Sequence, residues 1–335
     1  MSSISFEYIG DIFLRPLIFG IVPEMDKIFV NVASYRDPEL PKTVHDLISK
    51  AMWPERLRIV VYEQNDPEDP TVFGVYPVSQ VLVLQTHFSL AKGPTVARAR
   101  IQREYAGEEY YLQIDSHMRA IQNWDAELKH MLDLVPEPAV LTQYPPEYSL
   151  DSEQLNCDKV RSGLYIQGFG LKDRFTRIQS SLVQPVDRRY FPYTSKGWSA
   201  CFSFSRGSIV GDAPYDPSLE HLFFGEELDI TLKLFTRGYY FFSPHRSVFF
   251  TLFKRSHRRT YWQDIPSSKR DPLELKSRIK LWDRILETRV GPNDLGTVRT
   301  VDDYMKFADI DSLANSRLTS RAKSFRIHST RPLLR

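Results

Sequence analysis

The stretch IFVNVASYRDPELPKTVHDLISKAMWPERLRIVVYEQND, residues 28–66, contains two compact apolar runs on either side of an amphipathic segment. Both runs, 27–34 and 56–66, end in polar residues, which is typical of buried strands in a parallel sheet. Between them, Val44 and Leu47 recur at helical spacing, and a proline stands near each end of the segment. The stretch therefore predicts a strand, a helix and a second strand, the beginning of an α/β fold.

The segments that follow continue this alternation. VSQVLVLQTH predicts a third strand, GPTVARARIQREYAG a helix that runs to Gly107, and EYYLQI a fourth strand. A helix is then predicted over 118–134 and a strand in AVLTQY. Further on, HLFFGEELDITLKLFTRGYYFFSP predicts a helix from Gly225 to about Arg237 and a last strand. Such alternation is typical of large α/β enzymes built around one sheet.

The composition describes a folded globular protein. The 335 residues are 42% hydrophobic and 26% charged, and 44 basic residues against 42 acidic ones give a net charge of +2. A charge this small argues against nucleic acid as a partner. The two cysteines, Cys157 and Cys201, have no metal-ligand spacing and are too few for a disulfide framework, which favours a reducing compartment.

We expect four parts along the chain. They are a lead segment over 1–25, an α/β domain over 26–262, a helical extension over 263–315, and a basic tail over 316–335. The lead segment includes the apolar patch DIFLRPLIFGIVPEMD, which is too short to span a bilayer and is interrupted by an arginine and a proline. We therefore expect no transmembrane segment.

The stretch YLQIDSH, residues 111–117, places Asp115 and His117 at the carboxyl end of the predicted fourth strand. Residues two apart in an extended segment point to the same side, so both groups can address one metal ion. In open α/β sheets ligands bind at this end of the strands. The alternative is that Asp115 or Ser116 caps the helix predicted next, with His117 in its first turn.

Four blocks, taken in order, resemble the polypeptide N-acetylglucosaminyltransferases, relatives of the cytoplasmic enzyme that adds GlcNAc to a hydroxyproline of a ubiquitin-ligase subunit. The blocks lie at 28–66, 93–125, 197–210 and 221–244. The resemblance implies the GT-A fold, a Rossmann-like α/β domain with a central, mostly parallel sheet that binds a nucleotide sugar. It also implies a DxD-type motif that holds a divalent cation on the diphosphate.

Asp115 and His117 take the place of that motif. A carboxylate oxygen with an imidazole nitrogen suits Mn²⁺ better than Ca²⁺, and Mg²⁺ is the other candidate. The resemblance further implies that polar residues closing the first strand contact uracil and ribose, where an ordinary polar turn is the alternative. These residues are Asn31, Ser34, Tyr35, Arg36 and Asp37.

Three more residues are candidates for contact with the nucleotide. Arg100, just upstream of the metal strand, resembles a phosphate clamp, because a guanidinium can pair with two phosphate oxygens. Arg98 competes with it for this role, and either could be a solvated helix charge. Glu63, at the end of the second strand, either faces the nucleotide or is simply exposed.

The acidic block Gly225 to Asp229 begins the late helix. In GT-A enzymes an acidic residue at this place holds sugar hydroxyls or assists the reaction, and this block resembles that element. Glu226 and Glu227 point to different faces of a helix, so only one of them is expected to reach the sugar. The alternative role is to complement the helix dipole. Trp198 stacks on sugar or acceptor peptide, or else is a core residue.

One departure from the family pattern concerns the third metal ligand. Members of the family tend to carry a histidine after the last strand, where this sequence has Thr251. His245 and His257 flank that position, and either could take the role. Otherwise two protein ligands, the diphosphate and water hold the metal, and weak catalysis or a changed metal preference would follow.

The sequence therefore predicts a cytoplasmic GT-A glycosyltransferase that moves GlcNAc from UDP-GlcNAc to a protein or peptide hydroxyl. The acceptor would be hydroxyproline, Ser or Thr, and the resemblance implies retention at the anomeric carbon. One rival is transfer of GalNAc from UDP-GalNAc, or transfer to a glycan. Another is a binding protein on a degenerate transferase fold.

Overall fold

The computed structural model describes residues 24–151, 155, 160–170, 175–183 and 192–310. The predicted basic tail and all but the last two residues of the predicted lead segment therefore lie outside the described residues. None of the described helices combines the length and the apolar character that crossing a membrane requires.

Strands and helices alternate through the first half of the described chain, as the sequence predicts. The strands, in chain order, are β1 (Glu24–Tyr35), β2 (Leu57–Asn65), β3 (Val81–His87), β4 (Glu108–Asp115), β5 (Met118–Ala120), β6 (Ala139–Thr142), β7 (Val160–Arg161), β8 (Tyr165–Phe169), β9 (Thr176–Gln179), β10 (Leu182–Val183), β11 (Tyr193–Thr194), β12 (Phe202–Arg206), β13 (Tyr240–Ser243) and β14 (Phe249–Thr251). The helices are α1 (Leu40–Ser49), α2 (Pro94–Gln102), α3 (Trp124–Asp133), α4 (Ile209–Asp212), α5 (Glu226–Thr236), α6 (Tyr261–Asp264), α7 (Ser267–Leu286) and α8 (Val301–Ala308).

Eight of these strands form the central sheet. Their order is β11-β13-β6-β12-β4-β1-β2-β3, so β1 lies between β4 and β2. The pairs β1 with β2, β1 with β4, β2 with β3 and β6 with β13 are parallel, whereas β12 runs antiparallel to both of its neighbours. The sheet is therefore mostly parallel, and β1, β2 and β4 all end at the same edge.

The sheet is covered on both faces, which explains the continuous apolar runs of its strands. Alternate residues of β1 belong to two different cores: Val30 packs on the side of α1 and α3, and Phe29 packs on the side of α5. In the first core Trp124 is fully buried and donates its indole N–H to the Leu47 carbonyl at 2.9 Å. This packing fixes the strands whose ends form the site.

The prediction of a helix over 118–134 is wrong for the first residues of that range. Met118–Ala120 is the strand β5, which pairs antiparallel with β14, and α3 begins only at Trp124. Asn123, before it, has a left-handed backbone with φ of 60°. The hydrogen bonds that β14 offers outweigh the helical pattern of the sequence. Because no helix follows His117 directly, neither Asp115 nor Ser116 is a helix cap.

The predicted helical extension packs into the same core as α5. Leu281 of α7 and Tyr304 of α8 are fully buried in it. Arg284 of α7, 3% exposed, donates to Asp229 of α5 at 2.7 Å and to Asp216 at 2.6 Å. The division predicted at residue 262 remains a prediction, but α7 and α5 are joined by a buried ion cluster.

Arg284→Ala tests this cluster. The substitution removes the cation between two carboxylates that are largely out of water, so we expect the free energy of unfolding to fall by about 3 kcal/mol in urea denaturation. Lys280→Ala is the control, because its ammonium pairs with the same Asp216 at 3.2 Å but is 44% exposed. It should cost less than about 1 kcal/mol. Equal effects of the two substitutions would contradict a buried cluster.

Candidate active site

A cavity of about 450 Å³ opens at the edge of the sheet where β1, β2 and β4 end. Ser34 and Tyr35 of β1, Gln64 of β2 and Asp115 of β4 lie in its wall. The start of α2, the start of α5, the segment 253–262 and the paired strands β8 and β9 also contribute to the wall. The cavity therefore occupies the ligand-binding position of an open α/β sheet.

The pair Asp115 and His117 lies on the floor of the cavity with its geometry fixed by Asp37. His117 Nδ1 is 2.8 Å from one Asp37 oxygen, and Ser116 Oγ donates to the same oxygen at 2.7 Å. The other ring nitrogen of His117, Nε2, is 3.8 Å from Asp115 Oδ2. Asp37 engages Nδ1 and so orients the ring, which leaves Nε2 as the nitrogen that faces Asp115.

The second feature of the floor is a buried arginine between two carboxylates. Arg98, 6% exposed, donates through Nη2 to Asp115 at 3.0 Å and through Nη1 to Glu226. Burial disfavours a guanidinium charge, but the neighbouring Glu226 and Asp115 raise the pKa of Arg98 above its ordinary value. The arginine thus joins the end of β4 to the start of α5.

Glu227 forms a separate contact on the same wall. Its carboxylate accepts from the Tyr144 hydroxyl at 2.7 Å and from the Ala200 backbone N–H at 3.0 Å. Burial raises the pKa of Glu227 to about 7, even though these two hydrogen bonds favour its ionised form. A carboxyl group poised near neutral pH can accept or donate a hydrogen bond to a sugar hydroxyl.

Two arginines reach the cavity from the segment after β14. Arg255 and Arg258 lie in its wall, and Arg258 donates to the Tyr35 carbonyl. His257 approaches Asp37 from the other side, with its Nε2 3.4 Å from Asp37 Oδ1. The segment is thus attached to the end of β1 by contacts with Asp37 and Tyr35.

The structure brings six of the predicted site residues into the cavity wall. They are Ser34, Tyr35, Asp115, His117, Glu226 and Glu227. Asp37 stands directly behind His117. Both glutamates reach the cavity, although the helical spacing led us to expect only one.

Four other predicted residues point elsewhere. Asn31 is buried and donates to the Tyr111 hydroxyl at 2.7 Å. Arg36 pairs with Asp69 and Asp264, and Arg100 pairs with Glu104 on the surface of α2. Glu63 is fully buried and accepts from Val72 N at 2.8 Å and from two side chains. Of the two candidate clamps, it is Arg98 that lies in the cavity wall.

Of the remaining four predicted residues, His257 contacts Asp37 outside the cavity wall, and the other three lie behind or away from the cavity. Trp198 is 2% exposed and packs edge-on against Tyr215, with ring centroids 6.4 Å apart. Asp229 belongs to the buried cluster with Arg284. His245 follows β13, where Glu127 of α3 is among the charges that act on it. None of the three lines the cavity.

The prediction missed much of the cavity wall. Among the polar residues that it missed are Gln64, Tyr144, Arg255 and Arg258. Gln64 could have been found, because it lies near the end of β2, paired with Tyr35 at the end of β1. Tyr144 and the two arginines come from connections whose paths no periodicity indicates.

Comparison with known proteins identifies the family. The family model described as "Glycosyltransferase (GlcNAc)" matches residues 27–77 and 74–314. The chain belongs to this family. A comparison with curated proteins gives no match.

Among solved structures, this glycosyltransferase resembles GalNAc-T7, crystallised with UDP, GalNAc and Mn²⁺, with a TM-score of 0.53 and 14% sequence identity. That alignment covers 86% of this chain and 55% of GalNAc-T7, so the chain spans about half the length of that protein. Residues 1–349 of S. aureus TarS in complex with UDP-GlcNAc give a TM-score of 0.44 and 14% identity, covering 79% of this chain and 76% of that one. The fold is that of GT-A glycosyltransferases.

Asp115 and His117 of this family member fit a divalent cation that is held by two protein ligands. In the described part of the chain no three His, Cys, Asp or Glu side chains are grouped to hold a metal ion. Thr251 is buried in β14, and its hydroxyl has no hydrogen-bond partner among the residues that the structure describes. Asp115 and the Nε2 atom of His117 nevertheless face each other, and the carboxylate of Asp37 behind the imidazole is a common arrangement for a metal-binding histidine.

Glu227→Gln tests the environment of that carboxyl group. Because the folded-state pKa of Glu227 is raised to about 7, its contribution to stability is complete below pH 4.5 and is lost as the pH rises to about 7. We expect the wild type to lose about 3 kcal/mol of unfolding free energy relative to Glu227→Gln across this window, measured by urea denaturation. Glu104→Gln, in the turn just after α2, should follow the wild type. Parallel curves for wild type and Glu227→Gln would contradict the raised pKa.

Proposed function

We propose that this family member transfers GlcNAc from UDP-GlcNAc to a protein hydroxyl and depends on Mn²⁺ or Mg²⁺. The observation that carries the proposal is the line of contacts across one cavity, from Asp37 through His117 and Asp115 to Arg98 and Glu226. It combines a metal-binding pair, a buried cation and a carboxylate within one ligand site at the carboxyl ends of parallel strands.

The donor would occupy the cavity with its nucleotide near β1 and β2. Ser34, Tyr35 and Gln64 offer polar groups there, and the buried hydroxyl of Ser34 has no hydrogen-bond partner within the described ranges of the chain. Arg255 and Arg258 supply positive charge for the diphosphate, because guanidinium groups pair with phosphate oxygens in two-pronged contacts. These cations come from the segment after β14, whose contact with Asp37 positions it over the floor.

Asp115 and His117 are the residues that would hold the cation. A bound divalent ion neutralises the negative charge that develops on a departing diphosphate. The residues of this chain keep the two ligand atoms facing each other: Asp37 orients the imidazole of His117, and Arg98 fixes one oxygen of Asp115.

We further propose that the transfer retains the configuration at the anomeric carbon. In that case the departing phosphate oxygen accepts the proton of the incoming hydroxyl, and the protein has to position the reactants and stabilise charge. Glu226 is held by Arg98 as an acceptor for sugar hydroxyls, and Glu227 is held by Tyr144 and Ala200. Neither carboxylate has to act as a nucleophile.

The mouth of the cavity supports a peptide acceptor. Phe224, Phe253 and Trp262 line the cavity while 44%, 45% and 38% exposed, respectively. Exposed aromatic rings bind apolar side chains and prolines, so a peptide that carries hydroxyproline, Ser or Thr is our proposed acceptor. Because two cysteines in 335 residues are far fewer than secreted disulfide-rich domains contain, we propose that the protein acts in the cytoplasm.

Release of UDP from UDP-GlcNAc in the presence of Mn²⁺ tests the proposal. We expect turnover that is lower with UDP-GalNAc and UDP-glucose and that Asp115→Ala reduces by more than about 100-fold, because the loss removes a metal ligand. Arg98→Ala and Arg100→Ala form a matched pair from one helix. The first should reduce turnover strongly, whereas the second should leave it unchanged.

Two other outcomes would decide between the rivals. Faster turnover with UDP-GalNAc than with UDP-GlcNAc would identify UDP-GalNAc as the donor. Binding of UDP that depends on Mn²⁺, with no turnover of any donor even when a hydroxyl-bearing peptide library is added, would favour a binding protein, and the buried Thr251 is the observation that motivates this second candidate. Absence of nucleotide binding would refute both.

A further inference from the structure

Helix α7 carries an apolar stripe on its exposed side. Leu275 is 48% exposed, Ile279 53% and Leu286 69%. Trp282 lies in line with them but is partly buried, because it packs on the core by stacking on Phe175 with ring centroids 5.1 Å apart. The four residues follow a spacing of four, three and four. At 3.6 residues per turn these side chains lie within an arc of roughly 60°.

Apart from Trp282, which also packs on the core of its own protein, the stripe is a second apolar face, additional to the one that α7 uses for that packing. The packed face consists of Ser277, Leu281, Arg284 and Ile285, all buried. Charged residues normally cover the outward side of a surface helix. Spacing of four and three residues is that of a helix that packs lengthwise against another helix.

The charges beside the stripe are arranged for pairing with an identical helix that runs in the opposite direction. Lys276 and Asp283 are exposed, seven residues apart, and lie on the same flank of the stripe. Neither forms an ion pair within the described part of the chain. When two copies of α7 lie antiparallel with Ile279 opposite Trp282 and Leu275 opposite Leu286, Lys276 of each copy faces Asp283 of the other.

We propose that a second copy of this chain covers the stripe, so that the protein forms a two-fold symmetric dimer through α7. A two-fold interface requires a surface that is complementary to itself, and each apolar contact and each ion pair in this arrangement occurs twice. The stripe lies on the face of α7 away from the Arg284 cluster, so dimer formation leaves the contacts of α5 unchanged.

Sedimentation equilibrium of the full-length chain tests the proposal. The wild type should have twice the mass of the 39.1 kDa chain, and Ile279→Asp, which places a charge in the centre of the stripe, should have the mass of a single chain. Phe73→Asp is the matched control, since Phe73 is an apolar residue that is 62% exposed at a distant loop. It should remain dimeric. Thermal unfolding of each variant confirms that it is folded.

A charge exchange tests the antiparallel register. Lys276→Asp and Asp283→Lys should each weaken self-association by about tenfold, because each creates like charges that face one another twice. The protein with both substitutions should regain the affinity of the wild type. A monomeric wild type, a dimer that Ile279→Asp leaves intact, or failure of the double exchange to restore affinity would each overturn the proposal.

Discussion

The carboxylate of Asp37 is the contact on which the geometry of the site depends. It is 1% exposed and accepts from Ser116, His117 and the backbone of Glu39. Burial by itself would raise the pKa of Asp37, but the hydrogen bonds from His117 and His257 and the charge of Arg258 hold it well below its usual range. One ionised carboxylate therefore joins the end of β1, the end of β4 and the segment after β14.

From Asp37 the polar contacts continue across the cavity floor in alternating charge. Asp37 orients His117, Asp115 faces both His117 and Arg98, and Arg98 reaches Glu226 at the start of α5. Each group is held by a neighbour of complementary character before any ligand binds. Groups fixed in this way need little rearrangement when charge develops in a reaction, which is the physical basis of electrostatic catalysis.

The helical extension supports this floor from behind. Glu227 and Asp229 are about 200° apart on α5, so Glu227 faces the cavity while Asp229 faces the interior and pairs with Arg284 of α7. Lys233, one turn further on, is fully buried and contacts the same Asp229 at 3.0 Å. Within the acidic block, Glu227 thus belongs to the ligand site, whereas Asp229 stabilises the packing of the helix.

The sequence alone predicted the features that depend on local pattern. Apolar runs and helical spacing predicted β1, α1, β2, β4 and α5, because burial on both faces of a sheet and on one face of a helix imposes these periods. The same reasoning placed Asp115 and His117 at a strand end and the acidic block at a helix start. Each of these inferences concerns residues that are close in sequence.

Only the tertiary structure decided which side chains share the cavity. Arg98 and Arg100 are equivalent in the sequence, but packing of α2 turns Arg98 towards Glu226, 128 residues away, and leaves Arg100 at the surface. Met118–Ala120 carries a helical pattern, yet it forms a strand because β14 supplies backbone hydrogen bonds to it. Contacts over such separations depend on how elements dock, and docking depends on the summed packing of many side chains, which no short stretch of sequence contains.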